Sequence, residues 1–169
     1  LPLPQPGQCG QCLQALPPLD EVHAVFDYAF PLDRLLPRLK FHRDFAAGRV
    51  LTQCMADRLA GLPRPDALIP IPLHRGRLRS RGYDQALELA RSLARALQVT
   101  LLGHALQRSR TTTVQSRLDA NARQRNLRGA FVAARGTRLP AHVVLIDDVM
   151  TTGATLHAAA RVLRQAGVG

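Results

Sequence analysis

The sequence predicts an α/β protein with parallel strands flanked by helices, and three stretches carry that expectation. Residues 143 to 146, Val-Val-Leu-Ile, form an apolar run followed at once by Asp147 and Asp148. This is the pattern of a buried parallel strand ending at a polar site. Ala67 to Ile71 is a second such run, and it passes through a basic loop into an amphipathic helix. Val99 to Leu106 reads as a third strand, with Gly103 as a bulge. Strands separated by helical periodicity are the mark of βα units, whose ligands bind beyond the carboxyl ends of the strands.

Residues 1–20 are rich in Pro and Gln and contain Cys9-Gly-Gln-Cys12. A C-x-x-C pair is half of a tetrahedral zinc site. Cys54, His23 or His42 would have to be recruited by folding, and the other reading is an exposed pair without metal. Val22 to Phe30 alternates enough to suggest a strand. Asp33 to His42 suggests a short helix interrupted near Pro37, burying Leu35, Leu36, Leu39 and Phe41. Lys40 and Arg43 read as surface charge, with approach to a ligand as the alternative. A further helix is expected from about Asp44 to Leu62.

The segment after Ile71, PIPLHRGRLRSRGYDQ, reads as a cationic loop: Arg75, Arg77, Arg79 and Arg81 are interleaved with Gly76 and Gly82. Asp84 is a good N-cap, and Ala86, Leu89, Ala90, Leu93 and Leu97 give the next helix its apolar stripe. Positive charge at a strand end suits a pyrophosphate leaving group; a solvated basic loop is the plainer reading. Residues 107–131 hold Arg108, Arg110, Arg117, Arg123, Arg125 and Arg128 against one acid, Asp119. Such a segment suits a flap closing over an anion, and equally a nucleic-acid contact strip. No aromatic interleaves those arginines before Phe131, which argues against a base-stacking platform there.

After Asp148 come Thr151, Thr152, Gly153, Ala154 and Thr155, then a helix with apolar residues Leu156, Ala159, Ala160, Leu163 and Ala166, stopped at Gly167. Free N–H groups at a helix start favour phosphate. The threonines add hydroxyl donors, and Gly153 and Ala154 allow close approach. The aspartates accept hydrogen bonds and suit vicinal ribose hydroxyls. Together these describe a site for a phosphorylated ribose.

The 169 residues suffice for one substantial core. Aromatics are only 4 %, so that core must be mainly Leu, Val and Ala. Net charge is +11, which suggests polyanionic partners. Lys40 is the only lysine among 23 Lys and Arg residues. Base composition or heat adaptation would explain Arg over Lys, but not the excess of base over acid. No apolar run spans a bilayer and no leader is evident, and three cysteines favour a reducing cytoplasm. Both ends read as trimmed.

The run VVLIDDVMTTGAT closely resembles the phosphoribosyl-pyrophosphate (PRPP) loop of type I phosphoribosyltransferases. With CGQC, LKFHRD, PIPLHRGRLRSRGYDQA and LQRSRTTTVQSRLDANARQRNLRGAF in that order, the chain from Cys9 onward resembles the ComF family, whose ComFC- and GntX-like members are linked to natural competence. The resemblance implies a Rossmann-like type I phosphoribosyltransferase fold over residues 21–169, a hood over about residues 107–131, and residues 1–20 as the remnant of a zinc finger. It implies PRPP with Mg²⁺ as ligand: Asp147 and Asp148 on the ribose, Thr151 to Thr155 on the 5′-phosphate, and Pro72, Leu73, His74, Arg75, Arg77 and Arg81 on the pyrophosphate. Arg108, Arg110, Gln115, Arg123 and Asn126 fall in the hood. Zn²⁺ at Cys9 and Cys12 belongs to the same expectation, as do single-stranded DNA and competence or replication proteins as partners. The family usually has RGFNQ where this chain has RGYDQ, so a carboxylate, Asp84, stands where it would repel a diphosphate unless a cation intervenes. A four-cysteine finger and a strand after Gly167 are also expected, and neither is present. Three functions follow: a phosphoribosyltransferase, a non-catalytic DNA-binding competence protein regulated by PRPP, or a degenerate transferase retained for protein interactions with competence or replication factors.

Overall fold

The computed structural model describes residues 17–109, 127 and 129–169. In chain order the elements are α1 (Leu32–His42), α2 (Phe45–Leu59), β1 (Ala67–Pro70), α3 (Arg75–Arg81), α4 (Gln85–Leu97), β2 (Thr100–Leu101), β3 (Leu106–Arg108), β4 (Phe131–Ala133), β5 (Val143–Ile146) and α5 (Ala154–Gln165). The expected α/β architecture is present. β1 is central, with β2 and β5 parallel on either side and Pro70 in register with Ile146. The carboxyl ends of β1 and β5 therefore lie together.

β1 is buried along its whole length because helices cover both faces of the sheet. Its side chains alternate between two cores. Leu68 joins Leu36, Leu39, Leu51, Leu89, Leu93 and Ile146 beneath α1, α2 and α4. Ile69 joins Leu106, Phe131, Ala159 and Leu163 on the α5 side. No helix among the described residues is long and apolar enough to cross a membrane.

Several local expectations are corrected. Val22 to Phe30 is irregular and largely exposed: its alternation finds no partner strand among the described residues. α1 runs straight through Pro37, held by buried Leu36 and Leu39. Phe41 is 68 % exposed instead of buried, and Leu35 is half-buried. The basic loop contains a seven-residue helix, α3, capped by His74 and ended by Gly82 at φ 83°. Val99 to Leu106 is not one strand. The chain turns at Gly103, so β2 extends the parallel sheet and β3 pairs antiparallel with β4 in a second, two-stranded sheet. The hood expected over about residues 107–131 falls between β3 and β4, and its residues 110–126 and 128 lie outside the described residues. β5 is half-buried until Ile146, and Ala166 is exposed beyond the end of α5.

Helix α1 reaches the site through a close crossing. A Cβ at Gly48 of α2 would sit 3.1 Å from Leu39 Cδ1, so the glycine lets the two helices approach there. Arg43, in the left-handed region at φ 53°, caps α1, and Asp44 starts α2 by accepting from Ala47 N at 3.0 Å. Lys40 is thereby carried over the carboxyl end of β5.

Candidate functional site

The acidic pair follows Ile146 directly. Burial first, and the Asp148 charge second, push the Asp147 carboxyl up to about 7. One Asp147 oxygen, Oδ1, accepts the Asp148 backbone N–H at 2.8 Å. Asp148 is ion-paired with Lys40, Nζ to Oδ2 at 2.7 Å, with 21 % and 8 % of the two side chains exposed. Gln85 Nε2 donates to the same oxygen at 3.1 Å, and Arg81 Nη1 donates to Gln85 Oε1. A chain of polar contacts thus runs from α1 and α3, through α4, to the end of β5.

The hydroxyl-rich turn is built differently. Thr151 and Thr152 are exposed, Thr155 is half-buried, and Gly153 is buried at φ 72°. Ala154 N approaches Thr152 Oγ1 at 3.5 Å, and no side chain caps α5. Gly153 is required twice over. Its left-handed conformation disfavours a side chain, and a Cβ would lie 3.2 Å from His157 Nε2 and 3.3 Å from Met150 Cε. Burial first, then Arg161, hold His157 below its usual pKa, so the imidazole behind the loop is neutral near pH 7.

On the β1 side, Pro72 and Leu73 are half-buried and His74 Nδ1 accepts from Gly76 N at 3.1 Å. Asp84 binds three backbone N–H groups: Oδ2 accepts from Leu73 at 2.8 Å, and Oδ1 from Ala86 and Leu87 at 3.0 and 3.2 Å. Burial outweighs these donors and raises its pKa, with a smaller push from Asp148. Arg75 is exposed. Arg81 turns aside to Phe41, its guanidinium carbon 5.3 Å from the ring centre. Arg108 at the end of β3 stacks on Phe131 at 5.3 Å. It is half-buried and near enough to Arg77 and Asp147 for both charges to act on it. Burial and Arg77 lower its pKa, while Asp147 opposes them.

The fold therefore brings Asp147, Asp148, the Thr151–Thr155 turn, Arg77 and Arg108 to one end of the sheet. Arg110, Gln115, Arg123 and Asn126 lie outside the described residues, as do Cys9 and Cys12. Gln85 was missed by sequence reasoning, and Lys40 was read as surface charge, with approach to a ligand only as the alternative. For Lys40 there was a signal: one lysine in a chain that uses arginine everywhere else.

An open parallel sheet with an acidic pair and a hydroxyl-rich helix start at its carboxyl edge is the arrangement of the phosphoribosyltransferases, and residues 80–169 match the phosphoribosyl transferase domain family. The chain is 37 % identical over 168 residues to Competence protein F of Haemophilus influenzae, covering 95 % of this chain and 73 % of that one. It is 37 % identical over 168 residues to DNA utilization protein YhgH of Escherichia coli K12, covering 94 % and 72 %. With Competence protein ComFC of Bacillus subtilis the identity is 29 % over 154 residues, covering 88 % and 60 %. No solved structure matches the chain. The chain belongs to the ComF family of phosphoribosyltransferase-like proteins.

Proposed function

We propose that this protein binds PRPP at the carboxyl ends of β1 and β5, acts in the reducing cytoplasm, and serves natural competence or DNA uptake, as the names of its relatives suggest. The observation that carries the reading is the meeting of opposite chemistries. Exposed hydroxyls and a helix start without a side-chain cap follow two carboxylates, and Arg108 is near enough to Arg77 and Asp147 to feel both charges. Thr151, Thr152, Gly153, Ala154 and Thr155 hold the 5′-phosphate. Asp147 and Asp148 accept from the ribose hydroxyls, and Leu73 to Arg77 with Arg108 face the pyrophosphate.

The described residues contain no group of three or more His, Cys, Asp or Glu able to hold a metal. That fits Mg²⁺, which is commonly held by one or two carboxylates, water and the ligand's own phosphates; Asp147 and Asp148 would supply the protein oxygens. In a transfer reaction a nucleophile attacks the anomeric carbon, the bond to pyrophosphate breaks, and its electron pair leaves with the pyrophosphate. Arg77 and Arg108 would stabilise that developing charge, and the rigid strand ends would align the reacting atoms. Zn²⁺ at Cys9 and Cys12 belongs to residues outside those described.

Calorimetric titration with PRPP, with and without Mg²⁺, tests the reading. Binding should require Mg²⁺ and vanish in the Asp147→Asn, Asp148→Asn double variant; absence of both heat and thermal stabilisation in the parent protein would sink it. The net charge of +11 favours a second reading, a DNA-binding competence protein with PRPP as regulator and no turnover. Under that reading, affinity for single-stranded DNA falls steeply with salt and PRPP releases no pyrophosphate.

A further inference from the structure

Beside the acidic pair lies a second cleft, and Arg81 is the one lining residue that the sequence assigns to PRPP. The last turn of α1, its left-handed cap and the end of α3 border an open cleft of about 340 Å³, lined by Lys40, Phe41, His42, Arg43, Ser80 and Arg81. That volume is at the small end of the ~300–1,000 Å³ typical of ligand pockets. None of the six lining residues is acidic, and three are permanent cations.

Lys40 is paired with Asp148, but the two arginines are brought together without a carboxylate of their own. Arg43 is in the left-handed region, and it lies so closely over Gly82 that a Cβ there would be 2.3 Å from Nη2. Arg81 is the next residue back. Among the described residues neither arginine is ion-paired with a carboxylate. The nearby acids are engaged elsewhere, Asp44 with Arg38 and Asp148 with Lys40, both at 2.7 Å. Like charges held together in this way repel one another, and an anion in the cleft would reverse that penalty.

Phe41 adds the second half of the argument. It is 68 % exposed on a helix that buries Leu36 and Leu39, so burial does not account for it. The Arg81 guanidinium carbon sits 5.3 Å from its ring centre. Two guanidinium forks suit a phosphate, and an exposed ring with an arginine over it suits a flat heterocycle.

We propose that this cleft is a nucleotide site, with a phosphate on Arg43 and Arg81 and the base stacked against Phe41. Lys40 is a wall of the cleft and the partner of Asp148, so the nucleotide sits next to the acidic pair. The site stands whether or not PRPP binds at the strand ends.

The test titrates the full chain with dAMP, deoxyadenosine and inorganic phosphate, and with hexameric oligo(dA) with and without a 5′-phosphate. dAMP should bind, with deoxyadenosine and phosphate each at least ~10-fold weaker, because neither fills both halves of the cleft. Phe41→Ala and Arg43→Gln should each weaken dAMP binding by ~10-fold or more, with melting temperature and PRPP affinity retained. A hexamer that binds only when phosphorylated, with the same dependence on Phe41 and Arg43, identifies the ligand as a strand end. Failure of both dAMP and the phosphorylated hexamer overturns the proposal, as does binding undiminished in both variants. Thr152→Val should leave nucleotide affinity unchanged. A loss there would move the ligand to the threonine turn and overturn the cleft. PRPP failing to bind while dAMP binding depends on Phe41 and Arg43 would remove the function proposed above and leave this site standing.

Discussion

The carboxyl ends of β1 and β5 lie side by side, Pro70 against Ile146, yet they are finished in opposite ways. Beyond Ile146 the two carboxylates turn into the protein and are engaged, Asp148 by Lys40 and Gln85 and Asp147 by a backbone N–H. Beyond Pro70 the arginines are carried outward on a short helix, with Arg75 and Arg79 exposed. The threonine turn after the acidic pair is open as well, and the start of α5 has no side-chain cap. Donors for an anion thus stand ready, whereas each carboxylate already has one oxygen engaged, Oδ2 of Asp148 and Oδ1 of Asp147. Breaking either half separates burial from charge as the source of this asymmetry.

The largest effect is expected from Asp147→Asn. With its pKa raised to about 7, folded Asp147 keeps its proton where the unfolded chain has lost it. Its contribution is fully present below the unfolded value near 4 and is lost as pH rises from about 4 to about 7. Removing the charge should stabilise the protein at pH 8 by on the order of 2–4 kcal/mol and flatten the pH profile over that window. Urea unfolding between pH 4 and 8 reads this directly; parallel profiles for the two proteins would refute it. If PRPP engages the ionised form, binding at pH 6 should release a proton, seen as a dependence of the heat on buffer ionisation.

Lys40→Met attacks the same side from the cation. Removing one partner of a largely buried pair leaves the other charge uncompensated, and about 2–3 kcal/mol should be lost. Adding Asp148→Asn should recover most of it, so a double-mutant cycle with no coupling would exclude the pair as a stabilising contact. Gly153→Ala tests the open side. A side chain at φ 72° with two contacts below 3.4 Å should cost about 1–2 kcal/mol. It should weaken PRPP more than it weakens dAMP.

The parts of this fold legible in the sequence are those set by local rules. The apolar stripe of α4, the Asp84 cap and the strand-to-threonine-turn run all depend on neighbours within a few residues, and the structure follows them. The strand expected over Val22 to Phe30 failed because alternation supplies a face but no partner. Val99 to Leu106 failed because Gly103 turns the chain between two sheets. Lys40 and Gln85 were hidden for another reason. Their partner, Asp148, is distant in sequence, and only the packing of α1 and α4 on β5 brings them to it.

Asp84 shows how the same logic alters a local inference. Where the family usually has Asn, a carboxylate beside the basic segment was expected to repel a diphosphate. In the fold both of its oxygens turn onto backbone N–H groups, Oδ2 onto Leu73 and Oδ1 onto Ala86 and Leu87. These donors offset part of the burial that raises the Asp84 pKa, and they tie the loop after β1 to the start of α4. Asn has one acceptor oxygen, so it can keep the helix cap or the Leu73 contact but not both. Asp84→Asn should lose one hydrogen bond, about 1 kcal/mol, offset in part at pH 7 by removal of a carboxylate whose ionisation burial disfavours, measured by urea unfolding. With the repulsion already blunted, it should change PRPP affinity by less than ~3-fold, a small difference on the scale of a charge-assisted hydrogen bond. A gain of tenfold or more would mean that the carboxylate still acts on the ligand, and that charge rather than burial governs the β1 side.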